Sequence, residues 1–173
     1  VYAEEDYSPY AVKRDKAVTR RVKLKLVHGL GVHPPALVTK ADGSPYTVFT
    51  PFSKVWRALP FSNYTHPAPV SLPPLPSVMS EDIPATPTLD HFPAGEKEAL
   101  HRLDTFLSGP VGGYADARNR MDIDGTSSLA PYLRFGMLAP RQAAQAALRA
   151  AQSAQADKNA QGAQTWLNEL IWR

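Results

Sequence analysis

Apolar and polar positions divide the chain into three zones, of which the first covers residues 1–59. Ser8 and Pro9 are typical of the N-cap and the first position of a helix. Apolar residues follow at every fourth position, and glycines and a proline come next. This pattern predicts one helix that starts at Ser8 and continues until the Gly29, Gly31 and Pro34 cluster stops it; its apolar face would hold Val18, Val22, Leu26 and Leu30.

The rest of the first zone predicts strands and one more helix. Residues 36–52 indicate two short β segments around a turn at Asp42 and Gly43. Thr50 and Pro51 then open a short helix. Alternation of strand and helix favours the end of an α/β domain.

The second zone, residues 60–93, contains most of the 17 prolines of the chain. Proline interrupts helices and sheet ladders, so this zone is predicted to be an extended linker. Its apolar residues, such as Val70, Leu72 and Ile83, predict that it lies along the protein surface. The third zone, residues 94–173, predicts helices throughout, the first of which ends at Gly109 and Pro110. The expected fold class is therefore α/β followed by all-α.

Composition limits the classes of function. The chain has 173 residues, no cysteine and five scattered histidines, so we predict neither disulfides nor a metal site. The sequence has no run of about 18 apolar residues, which a membrane span needs. The net charge of +3 is compatible with nucleic-acid binding without demonstrating it. Residue 1 is not Met and the last residues read as the middle of a helix, so we expect this chain to be an internal part of a longer protein. We expect that protein to be cytoplasmic and monomeric.

Residues 114–138 contain the first candidate site. Thr126, Ser127 and Ser128 directly precede an apolar helix, where free backbone N–H groups and hydroxyls can bind an anion. The alternative is ordinary N-capping by Thr126 or Ser127. On these residues alone, capping is favoured.

Residues 166–173 contain the second candidate site. Trp166, Glu169 and Trp172 are spaced to share one helix face. A carboxylate between two indoles suits a flat ligand with N–H donors, such as a nucleobase or a flavin. An amphipathic helix with a glutamate at its rim explains the pattern equally well.

Three motifs occur in order, and together they resemble the DNA photolyase/cryptochrome family. They are Y-x-x-x-R at 114–118, T-S-x-L-x-P-Y-L-x-F-G at 126–136 and W-L-x-E-L-x-W-R at 166–173. DYSPYAVKRD at 6–15 and GSPYTVFTPFSKVW at 43–56 look like the end of the family's N-terminal domain. The resemblance implies that residues 1–59 end a Rossmann-like antenna domain, residues 60–93 link it onward, and residues 94–173 begin the helical FAD-binding domain.

The resemblance also implies roles for individual residues. Tyr114 would contact the flavin near its phosphates and ribityl chain. The phosphate-binding helix N-terminus would be formed by Thr126, Ser127 and Leu129. Trp166 would line the flavin pocket. Glu169 would hydrogen-bond the damaged pyrimidine, and Trp172 would pack against the flipped-out dimer. Arg118 would contact a DNA phosphate, and Arg173 would border the same cavity.

The implied activity is light-driven repair of cyclobutane pyrimidine dimers in DNA, with reduced FAD as the electron donor. A second antenna pigment is compatible with the resemblance, and its type stays open. We expect this chain alone to be inactive. Two alternatives stay open: a cryptochrome-type blue-light photoreceptor, and a flavin-free helical module that binds nucleic acid through phosphate contacts.

Overall fold

The computed structural model describes residues 1–61, 70–74, 76–77, 79–87, 89–153 and 158–172. Its elements are two short strands and seven α-helices: β1 (Tyr2–Glu4), α1 (Pro9–Thr19), β2 (Lys25–Val27), α2 (Phe49–Ala58), α3 (Glu96–Ser108), α4 (Tyr114–Ala117), α5 (Ala130–Arg134), α6 (Pro140–Ser153) and α7 (Lys158–Trp172). Short 3-10 turns lie at Pro35–Leu37 and Pro110–Gly113. None of the helices in the described ranges is long and apolar enough to cross a membrane.

The two strands form a small parallel sheet, in which Tyr2 pairs with Lys25. Helix α1 connects them and begins as predicted, with the Ser8 side chain accepting a hydrogen bond from the Ala11 backbone N–H. The predicted continuation of this helix to the glycines is wrong. Residues 22–27 also alternate apolar and polar side chains, a pattern that fits a strand, and pairing with β1 supplies the backbone hydrogen bonds.

The two β segments predicted around Asp42 are reduced to one isolated antiparallel bridge between Thr39 and Pro45. The turn itself is present. Gly43 has a φ of +80°, which favours glycine, and the Asp42 carboxylate accepts hydrogen bonds from the backbone and hydroxyl of Ser44.

The described residues between 70 and 88 contain no helix or strand. The expectation that their apolar side chains lie against the protein is wrong for Val70, Leu72 and Ile83, which are exposed. Leu75 and Val78, which belong to the same expectation, lie outside the described residues. Hydrogen bonds join the end of this zone to the helices. There the Tyr132 hydroxyl donates to the Pro93 carbonyl over 2.9 Å, and Arg102 donates to the His91 carbonyl over 2.7 Å.

The core lies among the helices of the third zone, where α7 packs against α6 and against the turn Pro110–Gly113. Its largest fully buried side chains are those of Tyr132, Leu129, Leu138, Leu167 and Val111. Residues 118–129 are not helical, which corrects the prediction of helix throughout this zone. Several Asn, Asp and Gly residues fall in this stretch, and such residues favour turns over helix.

Candidate functional site

Helix α7 carries two of the predicted ligand-binding side chains, those of Glu169 and Trp172, on its exposed side. Its opposite side is buried and supplies six core residues: Gly162, Ala163, Trp166, Leu167, Leu170 and Ile171. The side chain of Glu169 is 45% exposed. Trp172, one turn further along, is 58% exposed. The predicted shared face therefore holds for Glu169 and Trp172, while Trp166 belongs to the core.

Arg118 is the direct neighbour of Glu169. Its guanidinium, at the C-terminal end of α4, forms an ion pair with the Glu169 carboxylate. The Tyr114 hydroxyl lies beside this pair. Burial raises the pKa of Tyr114, the Glu169 charge raises it further, and Arg118 opposes both effects. The structure thus brings together three predicted site residues from two helices that are far apart in sequence.

Tyr114 and Trp166 share one aromatic cluster under this surface. The ring of Phe106, in α3, meets Tyr114 edge-on at 5.7 Å and Trp166 edge-on at 5.1 Å. Only 7% of Tyr114 and 3% of Trp166 is exposed. Their rings form the inner layer of the site, and the carboxylate and guanidinium form its outer layer.

The segment Thr126–Ser128 lies next to α4 because Gly125 packs against Ala117. A Cβ on Gly125 would lie 2.5 Å from the Ala117 carbonyl oxygen, so glycine is needed there. Thr126 is exposed, Ser127 is half-buried, and Leu129 is buried at 1% exposure. The N-cap position of α5 is occupied by Leu129, which has no hydroxyl, and this counts against the ordinary capping role for Thr126 or Ser127.

Ser128 has a φ of +51°, the only positive value at a non-glycine residue of the described chain. Such conformations are strained for residues with a Cβ and are concentrated at functional sites. The backbone just before α5 is therefore held in an unusual shape. Thr126 in this segment is exposed, and Ser127 and Ser128 are half-buried.

Sequence analysis missed Phe49, the first residue of α2. Its ring stacks on Trp172 with centroids 4.7 Å apart and planes inclined by 19°. Nearby, Arg57 donates a hydrogen bond to the Asn168 side-chain oxygen over 2.6 Å. Phe49 lies in the stretch GSPYTVFTPFSKVW, which resembles the end of the family's N-terminal domain, and that resemblance does not indicate a partner for it. Arg173, the last predicted site residue, lies outside the described residues.

A separate cavity of about 400 Å³ lies on the other side of α7. It is lined mainly by apolar and aromatic side chains, including those of Tyr7, Tyr46, Phe52 and Trp56. His33 also lines it, packs edge-on against Trp56 at 4.8 Å, and has a buried Nε2 atom without a hydrogen-bond partner. Burial lowers the pKa of His33, which favours the neutral ring.

Comparisons with known proteins agree with these features. The DNA photolyase family model matches residues 1–75. A deoxyribodipyrimidine photo-lyase of Thermus thermophilus is 36% identical over 178 residues, an alignment that covers all of this chain and 38% of that protein. The chain thus spans about two fifths of the length of this relative.

Two solved structures share the fold. A bacterial class III photolyase from Agrobacterium tumefaciens gives a TM-score of 0.75 at 24% identity, over 100% of this chain and 39% of that one. A cryptochrome of Synechocystis gives 0.73 at 22% identity, over 98% and 39% respectively.

Proposed function

We propose that the whole protein is a member of the DNA photolyase family, whose model matches residues 1–75, and that it uses light to repair cyclobutane pyrimidine dimers in DNA. The observation that carries the proposal is the row formed by the half-buried Arg118 and the exposed Glu169 and Trp172. It offers a cation, a carboxylate and an aromatic ring side by side. These groups suit a phosphate, a base N–H group and a base ring.

The described residues fit a flavin cofactor in part. The exposed hydroxyl of Thr126 and the half-buried one of Ser127 suit phosphate oxygens, and the backbone shape at Ser128 favours a ligand there. The burial of Tyr114 and Trp166 suits an inner wall of the pocket. When bound, reduced FAD supplies, on light absorption, the electron that opens the cyclobutane ring, and takes it back.

The ion pair between Arg118 and Glu169 would be exchanged for contacts with the lesion. Exposed and half-exposed ion pairs contribute only about 0–1 kcal/mol, so separating the two side chains costs little. Glu169 can then accept a hydrogen bond from a base N–H group, while Arg118 turns to a phosphate. Until DNA arrives, each side chain neutralises the other.

Trp172 would form a wall of the lesion cavity. Stacking of a base on an aromatic side chain contributes about 1–3 kcal/mol. One face of the Trp172 ring is covered by Phe49, so the other face is the one that a base could use. The indole also excludes water from the base that it covers.

We extend the proposal to the organisation of the protein. Residues 1–59 would end the α/β antenna domain, residues 60–93 would link the domains, and residues 94–173 would begin the helical FAD-binding domain. The cavity beside His33 is a candidate place for a second pigment, because aromatic rings line it. The protein would act as a cytoplasmic monomer.

The test is light-dependent repair by the whole protein. Wild-type protein should show flavin absorption bands and should remove dimers from DNA on illumination. Glu169→Ala should lower the repair yield about tenfold or more, because a polar group that stabilises the reacting base is lost. The matched control is Glu81→Ala, which changes an exposed glutamate of the linker and should leave repair unchanged.

Other outcomes would overturn the proposal. Flavin bands without repair would indicate a cryptochrome-type photoreceptor, whose fold is equally compatible. A colourless protein that binds intact and damaged DNA alike would indicate a flavin-free nucleic-acid module. Repair by Glu169→Ala at the wild-type rate would remove Glu169 from the site.

A further inference from the structure

The stacked rings of Phe49 and Trp172 join the first zone of the chain to the candidate lesion site. We propose that Phe49 is a positioning residue: it holds the Trp172 indole at the angle at which the free face of that ring receives the flipped-out base. This inference rests on the proposed repair function. It assigns a role in lesion recognition to a residue of α2, in the stretch that resembles the family's N-terminal domain and not in the helical zone that carries the candidate site.

The geometry of the pair is unusual within this protein. Its planes are inclined by only 19°, whereas the other ring pairs in the described residues are tilted or edge-on, at 46° or more. In a nearly parallel stack, the Phe49 ring lies against one face of the indole. An edge-on contact would leave both faces partly open, and the ring would have two possible sides for a base.

Trp172 needs such a support because it is exposed. Exposed aromatic side chains rotate about two torsion angles, and Trp172 is 58% exposed at the last described position of α7. A ring that must stack on a base loses that rotational freedom on binding. Support from Phe49 means that the freedom is lost on folding instead, so the base meets a ring that is already oriented.

Helix α2 can provide a fixed position for Phe49. Trp56, two turns further along α2, is buried at 5% exposure in the core. Arg57 donates to Asn168 on α7, one turn before Trp172. Helix α2 therefore contacts α7 at two places, so displacement of the Phe49 backbone from Trp172 would require movement of a helix that the core holds.

An aromatic ring at position 49 is needed for orientation, while volume alone is enough for packing. Leucine would fill much of the space but offers no flat face, so the indole could tilt. Tyrosine keeps the face. If Phe49 only filled space, leucine and tyrosine would have similar effects, and neither would change how damaged DNA is distinguished from intact DNA.

The experiment compares Phe49→Leu and Phe49→Tyr in the whole protein. The dissociation constants for an oligonucleotide with one pyrimidine dimer and for the same intact oligonucleotide are measured, with the melting temperature as a check of folding. Loss of an aromatic stack corresponds to about two- to tenfold in affinity. We expect Phe49→Leu to weaken dimer binding by that factor and to leave the binding of intact DNA unchanged. Phe49→Tyr should keep the wild-type discrimination between damaged and intact DNA.

Tyr10→Leu is the matched control, because Tyr10 is 75% exposed on α1, away from the candidate site, and should have no effect on discrimination. Equal dimer binding by wild type and Phe49→Leu would overturn the inference, as would a loss that tyrosine does not restore or that intact DNA shares. Failure of the proposed function looks different: the wild-type protein itself would then show no preference for the dimer and no repair.

Discussion

The crossing of α7 over the turn Pro110–Gly113 gives a stability prediction with an unambiguous sign. A Cβ on Gly162 would lie 1.7 Å from the Val111 carbonyl oxygen, half of the 3.4 Å at which ordinary contact begins. It would also lie 2.8 Å from the Val111 carbonyl carbon. These are backbone atoms, so no side-chain rotation can relieve the contact, and the helix or the turn would have to move.

Two effects of Gly162→Ala oppose each other. Gly162 lies inside α7, where alanine is favoured over glycine by about 1 kcal/mol in helix propensity alone. Forcing extra atoms into a packed core costs about 1–3 kcal/mol and sometimes more. Val111 is completely buried and the contact is with backbone, so we place the steric cost at or above the upper end of that range.

The net expectation is destabilisation by about 2 kcal/mol or more. For a domain of this size, that lowers the melting temperature by about 4–8 °C. The substitution should also displace Tyr114, which follows the turn directly, and with it the Arg118–Glu169 pair. Dimer binding should therefore weaken together with stability.

The assay is thermal unfolding of Gly162→Ala and of Gln161→Ala. Gln161 is the exposed neighbour of Gly162 in the same helix, so its substitution tests helix propensity without the backbone contact. Gln161→Ala should change the melting temperature little. A melting temperature for Gly162→Ala equal to or above that of the wild type would refute the close approach, because propensity alone predicts stabilisation.

Two further predictions concern the return of the linker and the buried histidine. Tyr132→Phe should lower the unfolding free energy by about 1 kcal/mol, because its hydroxyl donates to the Pro93 carbonyl, and limited proteolysis should cut faster near that point. Burial lowers the pKa of His33 below its unfolded value of 6.5, so the unfolded chain binds more protons. The free energy of unfolding should therefore be highest above pH 6.5 and should fall as the pH is lowered below that value. His33→Asn should flatten a plot of melting temperature against pH.

Helix termini were the part of the fold that the sequence predicted best, because caps act locally. Ser8 with Pro9 begins α1, and Gly109 with Pro110 follows α3. The error in the length of α1 has a non-local cause. Residues 22–27 fit a helix or a strand equally well, and only pairing with β1, distant in sequence, decides between them.

For the candidate site too, the sequence predicted what depends on one helix and missed what depends on contacts between helices. Spacing along one helix correctly put Glu169 and Trp172 on one exposed face. It also put Trp166 with them, although that ring is buried, because spacing alone does not tell which part of a helix meets the core. The partners Arg118 and Phe49 come from other helices, and no pattern within 166–173 indicates either of them.

Burial of one side of α7 is also what makes the other side suitable for binding. Helix α7 is held in the core from Gly162 to Ile171 and cannot rotate, so Glu169 and Trp172 point outward in a fixed direction. Their supports, Arg118 from α4 and Phe49 from α2, contact α7 on its exposed side. Changes in the core, such as Gly162→Ala, should thus reduce recognition of a lesion without touching it, whereas Phe49→Leu should reduce recognition at nearly constant stability. This contrast separates the orientation of the site from the stability of the helix that carries it.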